Sequence, residues 1–147
     1  MTVSFITINT SKDLYTQAKD IRTICFFNKM KNASELINDA YEKGAYHAVC
    51  SDTYGNVIGG TGRIHIEKSV AIISQMAVKP EHQKSGVGQK LLKELLVKCK
   101  QIKVKRIELS ARETAIQFYS KYGFLKIGVI YPSLKTGILH QKMYQDI

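Results

Sequence analysis

The chain has 147 residues, a length suited to one domain with a proper core, and we read residues 1–147 as a single domain. Apolar residues make up 44% and charged residues 23%, an ordinary globular balance, and no run approaches the roughly 20 apolar residues of a membrane helix. The start, "MTVSFITINTSKD", lacks the pattern of a signal peptide, so a cytoplasmic protein with no membrane partner is expected. Three widely spaced cysteines, Cys25, Cys50 and Cys99, with no CxxC pair indicate neither a disulfide framework nor a metal site, and buried packing is expected for them. The net charge of +10 is concentrated between Lys79 and Arg106, where nine Lys/Arg meet only Glu81 and Glu94. That suits an anionic partner or a solvated lysine face.

In chain order, "VSFITIN" (3–9) reads as a strand. "SKDLYTQAKDIRTICFFNKM" (11–30) reads as a helix with Ser11 as N-cap and Leu14, Ala18, Ile21 and Cys25 on one face. A shorter helix is expected from Ala33 to Glu42, stopping near Gly44. "YHAVCSD" (46–52) and "VIGGTGRIHIE" (57–67) predict two strands joined by a turn at "TYGN" (53–56). "VAIISQMAV" (70–78) is a buried strand, and a helix follows from about Gly86 to Lys100 with Leu91, Leu92, Leu95, Leu96 and Cys99 as its apolar stripe. "VKRIELSA" (104–111) gives a further strand and "RETAIQFYSKYG" (112–123) a short helix stopped by Gly123. "FLKIGVIY" (124–131) and "GILHQKMYQ" (137–145) complete the pattern as two strands. The order β-α-α-β-β-β-α-β-α-β-β specifies a mixed α/β sheet with helices on both faces.

The segment "QMAVKPEHQKSGVGQKLLKELL" (75–96) carries the chemistry. Its amphipathic helix is anchored by leucines, so its N-terminus points at a fixed place, and a helix N-terminus offers free N–H groups and partial positive charge to an anion. Gly86 and Gly88 remove side chains that would hold a phosphate away from those groups, while Lys84 and the Ser85 hydroxyl add donors. A P-loop, GxxxxGK[ST], is absent. A dinucleotide fingerprint is disfavoured because Leu91 occupies the third glycine's place and Gly86 lies six residues beyond Pro80, although Glu108 stands where a ribose-binding acid would. Taken alone, the two glycines are also compatible with a plain turn.

"QKSGVG" (83–88) after "MAVKPEH" (76–82) resembles the Gln/Arg-x-x-Gly-x-Gly/Ala motif of the GCN5-related N-acetyltransferases (GNAT). "ARETAIQFYSKYGFLKIG" (111–128) resembles that family's second signature, A-x-x-F-Y-x-K-x-G-F, in the right order and at a family-like separation. "IRTICFF" (21–27) and "TGILHQKM" (136–143) look most like the ElaA-like branch, with Leu139 where that branch has proline and Arg112 where many members carry asparagine.

The resemblance implies a single-domain GNAT-like sheet and an enzyme that transfers acetyl from acetyl-CoA to an amine. Amides from Gln83 through Lys84, Ser85, Gly86, Val87 and Gly88 to Gln89 would cradle the coenzyme A pyrophosphate. The backbone of Met76, Ala77 and Val78 would pair with the pantetheine arm, and the Val78 N–H would polarise the thioester carbonyl. Tyr119 matches the family's tyrosine that protonates the leaving thiolate, a phenol of pKa about 10 serving as general acid. Its alternative is plain packing beside Phe118 and Tyr122. Glu67, Glu108, His65 and His140 are candidates for the base, and spacing selects none of them. His140 matches the branch's Gly-x-x-His ending, and His82 reads as a solvated residue or a phosphate neighbour. The acceptor would be a small-molecule or protein amine, and pairing into a homodimer is implied by the family's habit of joining late strands. A rival class is a non-catalytic module binding acetyl-CoA or nucleic acid. The 79–106 basic region lacks the aromatic interleaving of a single-strand binder, which makes nucleic acid the weaker partner.

Overall fold

The structure, a computed structural model, describes residues 2–9, 12–28, 30–52, 54 and 57–147, without the side chains of 57 and 58. Alternating apolar residues build strands β1 (Thr2–Ile6), β2 (Tyr46–Ser51), β3 (Val57–Glu67) and β4 (Val70–Val78), with helices α1 (Lys12–Arg22) and α2 (Ala33–Ile37) between the first two. Helix α3 (Val87–Ile102), strand β5 (Arg106–Arg112) and helix α4 (Ile116–Ser120) follow. Two very short strands, β6 (Leu125–Lys126) and β7 (Tyr131–Pro132), precede β8 (Leu139–Asp146). They form one mixed sheet in the order β1-β2-β3-β4-β5-β8-β6, with β7 also on β8. Among these strands only β4 and β5 pair in parallel. Among the described residues no helix is long and apolar enough to cross a membrane.

Strand alternation divides the core. Ala48 and Cys50 of β2 face the α3 side, packing with Ile64, Leu91, Leu92, Leu95, Cys99 and Ile107. Val49 faces the other side, against Ala18 and Ile21 of α1. The expected stripe of α3 is therefore the buried one, with Val87 added and Leu96 partly covered. The glycines of β3 explain how closely α3 approaches. A Cβ on Gly60 would lie 2.6 Å from Leu91 Cδ1 and 2.9 Å from Val87 Cγ1, and one on Gly62 would lie 2.9 Å from Leu95 Cδ1.

Two local features shape the middle of the sheet. Strands β4 and β5 pair from Val70↔Arg106 to Ile73↔Leu109, and there the pairing stops. Beyond it β4 stays with β3, through Thr61↔Ala77 and Gly60↔Val78, while β5 stays with β8 as far as Arg112↔His140. The sheet opens into a V. At the opening, β4 carries a bulge between the Arg63↔Ser74 and Thr61↔Ala77 pairs, and Gln75 within it has φ 52°.

Several expectations need correction. The first helix turns π-helical over Thr23–Phe27, so its buried face is Tyr15, Ala18, Ile21 and Arg22, with Leu14 and Cys25 only partly covered. Helix α2 stops at Ile37 rather than Glu42, because Asp39 and Glu42 turn inward to meet buried arginines. The segment 124–131 is two fragments rather than one strand: Ile127 N–H still donates to Lys142 O, but Gly128 has φ 73° and the chain leaves the ladder. "RETAIQFYSKYG" opens as a 3-10 turn, Glu113–Ala115, before α4, and ends as expected at Gly123, where φ is 90°. The Ser11 cap and the Thr53, Gly55 and Asn56 positions of the expected turn lie outside the described residues.

Candidate active site

The opening between β4 and β5 is a cavity of about 590 Å³, within the usual range for ligand sites. Its walls come from the π-helical turn (Phe26, Phe27), the bulge (Ser74, Gln75, Met76), the end of β5 and the β7–β8 segment. A ligand arm entering here meets strand edges that lack a neighbour. Lys79 N–H donates to Gly59 O at 2.7 Å, so by alternation the Val78 peptide groups turn to the opposite edge, toward the opening. The Val78 carbonyl there accepts from Gln83 Nε2 at 3.1 Å and Cys25 Sγ at 3.5 Å. Met76, two residues earlier, lines the cavity, whereas the Ala77 side chain is buried on the α1 face.

At the end of β4 the loop runs through the 3-10 turn Pro80–His82 and two left-handed residues, Lys84 (φ 63°) and Gly86 (φ 89°), into α3. No side chain caps this helix, and its first i→i−4 bond is from Lys90 N–H to Gly86 O, so the amides of Val87, Gly88 and Gln89 have no acceptor within it. The two glycines differ in purpose. A Cβ on Gly86 would meet open space, and glycine is required there by its positive φ. A Cβ on Gly88 would find ordinary contacts, 3.7 Å to Val78 Cγ2 and 3.8 Å to Phe118 Cζ. The chain alone could hold a side chain there, so the bare backbone leaves the helix mouth open to an approaching anion. Lys84 and Ser85 are exposed in the same loop, and the Ser85 hydroxyl donates to His82 O.

Helix α4 places Tyr119 on the cavity wall, its hydroxyl 3.6 Å from Met76 Sδ. Burial pushes the phenol up to about 12, so it holds its proton throughout the physiological range. It also packs edge-on to Phe118 and Phe124, so catalytic and packing roles are compatible. His140, on β8 opposite Arg112, lines the same cavity. Its Nδ1 is 2.7 Å from Ile138 O; a carbonyl can only accept, so Nδ1 carries the proton and Nε2 is the basic nitrogen of the neutral ring. Of the other base candidates Glu108 also lines the cavity, but it is tied to Lys142 Nζ (3.3 Å) and Arg106 (3.8 Å). His65 stacks on Tyr41, with ring centroids 4.0 Å apart, and lies 3.6 Å from Glu67; neither reaches the cavity. His82, in the loop, is half-buried beside Gly59 of β3. The cysteines behave as packing residues: Cys50 and Cys99 are buried, burial raising the Cys99 thiol to about 12, and Cys25 is half-buried.

What the sequence concealed is an ionic cluster under the bulge. Arg22, 1% exposed, grips Glu42, 2% exposed, through two 2.8 Å bonds and donates from Nε to Gln75 Oε1. Arg63 binds Glu42 (3.0 Å), both oxygens of Asp39 (2.9 and 3.1 Å) and Ser74 Oγ (2.9 Å). Lys135, from the β7–β8 segment, closes on Asp39 at 2.9 Å. Burial opposes ionisation of Glu42, but the Arg22 bonds outweigh it and hold the carboxyl at about 2. Burial likewise opposes Asp39, and the Arg63 and Lys135 bonds bring it to about 2. Two buried arginines thus hold Ser74 and Gln75, at the bulge that shapes the cavity wall.

Residues 13–146 match the model of the Acetyltransferase (GNAT) domain. The chain is similar in structure to Escherichia coli ElaA, with TM-score 0.82, 17% identity and 99% of each chain covered. An acyl-CoA N-acyltransferase from Pseudomonas aeruginosa superposes with TM-score 0.80 at 15% identity over 98% of each chain. An aminoglycoside 6'-N-acetyltransferase solved with coenzyme A superposes with TM-score 0.78 at 13% identity, covering 99% of this chain and 97% of that one. With the domain model spanning nearly the whole chain and the sheet opened between β4 and β5, this protein belongs to the GNAT family and is an acetyltransferase.

Proposed function

We propose that the protein is an acetyl-CoA-dependent N-acetyltransferase that passes the acetyl group directly to an amine bound in the cavity. The observation that carries this is the junction at Gly88, where the mouth of α3, the end of β4 and helix α4 with Tyr119 converge. Bound acetyl-CoA supplies an activated acetyl thioester. The amides of Val87, Gly88 and Gln89, with the backbone of Gln83, Lys84, Ser85 and Gly86 before them, fit its pyrophosphate, and the coenzyme A complex of the aminoglycoside acetyltransferase supports that use of the fold. The Met76–Val78 edge of β4, turned away from β3, fits the amide groups of the pantetheine arm. The Val78 N–H then lies where developing negative charge on the thioester oxygen needs a donor, worth about 2.7–4 kcal/mol in the transition state.

Two side chains manage the protons. Tyr119 starts protonated and delivers its hydroxyl proton to the departing sulfur as the C–S bond breaks. His140, with Nδ1 held by Ile138 O, offers Nε2 to take the proton that the nitrogen loses as the C–N bond forms. The branch resemblance and the ElaA superposition support placing the chain beside that protein. Exposed Val129, Leu134 and Leu139 around the β7–β8 segment support pairing into a homodimer. The test is direct: purified protein with acetyl-CoA and a panel of amines, read by thiol release and by mass of the product. Amine-dependent release with a matching acetylated product supports the reading, and acetyl-CoA binding without transfer to any amine contradicts it.

A further inference from the structure

The acceptor is coded in the charges of the cavity wall. Four cations line it, Arg63, Arg112, Lys135 and Lys142, against one carboxylate, Glu108. Three of the cations are answered: Arg63 and Lys135 share Asp39, and Lys142 pairs with Glu108. Arg112 makes no ion pair among the described residues. Its guanidinium lies 5.0 Å from the Phe26 ring centroid, and Nη2 donates to Cys25 O over 3.5 Å. A planar five-donor fork with one long bond to a carbonyl, on the wall of a ligand-sized cavity, is built to meet a carboxylate.

We propose, resting on the acetyltransfer reading above, that the acceptor is a small amino acid-like molecule whose carboxylate is held by Arg112 while its nitrogen is acetylated. The spacing limits the distance between the two groups. Cys25 accepts from Arg112 through its carbonyl and reaches the Val78 carbonyl through its thiol, at 3.5 Å in each case. One residue therefore separates the guanidinium from the end of β4, where the acyl carbonyl is received, so amine and carboxylate stand a few bonds apart. Phe26, Leu109 and Tyr131 give the same cavity an apolar and aromatic wall, which suits a large apolar side chain. A polycation would face four positive side chains and one acid. In the reaction the nitrogen gains the acyl carbon, the C–S bond breaks, Tyr119 protonates the sulfur and the proton lost by nitrogen passes to His140. An N-acetylated amino acid and the free thiol leave.

The test compares phenylalanine and leucine with their amides, their decarboxylated amines and spermine, at saturating acetyl-CoA, by thiol release and product mass. The expected result is a kcat/KM for the carboxylates roughly ten- to hundredfold above the other amines. Arg112→Gln removes that advantage by raising KM for the carboxylates, leaves the decarboxylated amines, which present nothing for Arg112 to hold, unchanged and leaves the acetyl-CoA Kd within about twofold, and Arg112→Lys restores part of it. Amides or spermine turning over as well as the carboxylates, with acetyl-CoA binding intact, overturns this inference alone. So does an Arg112→Gln protein that loses acetyl-CoA affinity and slows every amine alike, since Arg112 then serves the co-substrate. Failure of acetyl-CoA to bind the wild-type protein overturns the acetyltransfer reading and this one with it.

Discussion

Replacing Glu42 by glutamine tests whether the buried cluster holds the site together. Glutamine keeps the shape of the side chain but leaves Arg22 and Arg63 sharing a neutral oxygen where they now share a carboxylate, at 2.8, 2.8 and 3.0 Å. Both arginines are nearly inaccessible, at 1% and 3% exposure, so water cannot take over. Removing one partner of a buried pair costs about 3–5 kcal/mol, a large share of the roughly 5–15 kcal/mol that stabilises a domain. For a chain of this size each kcal/mol moves Tm by about 2–4 °C, so a fall of roughly 6–20 °C is expected. The Glu42 carboxyl is held at about 2, below its ordinary 4.5. Its contribution is therefore complete above pH 4.5 and disappears as pH falls toward 2. Urea unfolding of wild type and variant between pH 7 and pH 3 reads both effects. Their stabilities should converge on acidification, while Asp39, also held at about 2, keeps some acid sensitivity in the variant. Exposed Glu35→Gln serves as the control. A loss below about 1 kcal/mol at pH 7, or a gap that stays constant with pH, refutes the reasoning.

Three further outcomes follow from the geometry. Tyr119→Phe should lower kcat by about 10²–10⁴ while the acetyl-CoA Kd stays the same, and normal turnover in single-turnover kinetics removes Tyr119 from proton transfer. Gly88→Ala places a methyl at the mouth of α3, where a Cβ meets only contacts of 3.7 and 3.8 Å; calorimetry should show acetyl-CoA affinity at least tenfold weaker with little change in Tm of the free protein. Gly60→Ala pushes a methyl to 2.6 Å from Leu91 Cδ1 and should cost about 1–3 kcal/mol by urea unfolding, whereas an unchanged midpoint would mean that α3 can move off the sheet freely.

Much of this was legible in the sequence because it is local. Strand β4 and the α3 stripe follow from apolar periodicity, and the uncapped helix mouth follows from "SGVG" ahead of that stripe. Gly60 and Gly62 were an available signal: two glycines on alternate positions of a strand mark a close neighbour, here α3. The opening of the sheet was implied by the family resemblance, through the free edge at Met76–Val78, but not by periodicity, because it depends on where β4 and β5, whose paired residues are 36 apart in the chain, cease to pair. The ionic cluster was hidden for another reason. Arg22 and Arg63 look like any surface cations until Asp39 and Glu42 are folded under them, and the same inward turn ends α2 five residues early. Which of His65, His140, Glu67 and Glu108 line the opening likewise depends on which strands flank it, and His140 and Glu108 are the two that do.

The central claim is that the β4–β5 opening and the α3 mouth together bind acetyl-CoA, and a thermal-shift titration tests it most directly. Acetyl-CoA should stabilise the protein saturably, by about 2.7 kcal/mol at 100 times its Kd, with NAD and ATP giving no comparable shift at matched salt. The Gly88→Ala protein, whose added methyl meets only ordinary contacts in the free protein, should need at least tenfold more acetyl-CoA for the same shift. An absence of stabilisation by acetyl-CoA, or an equal response to ATP, contradicts the account.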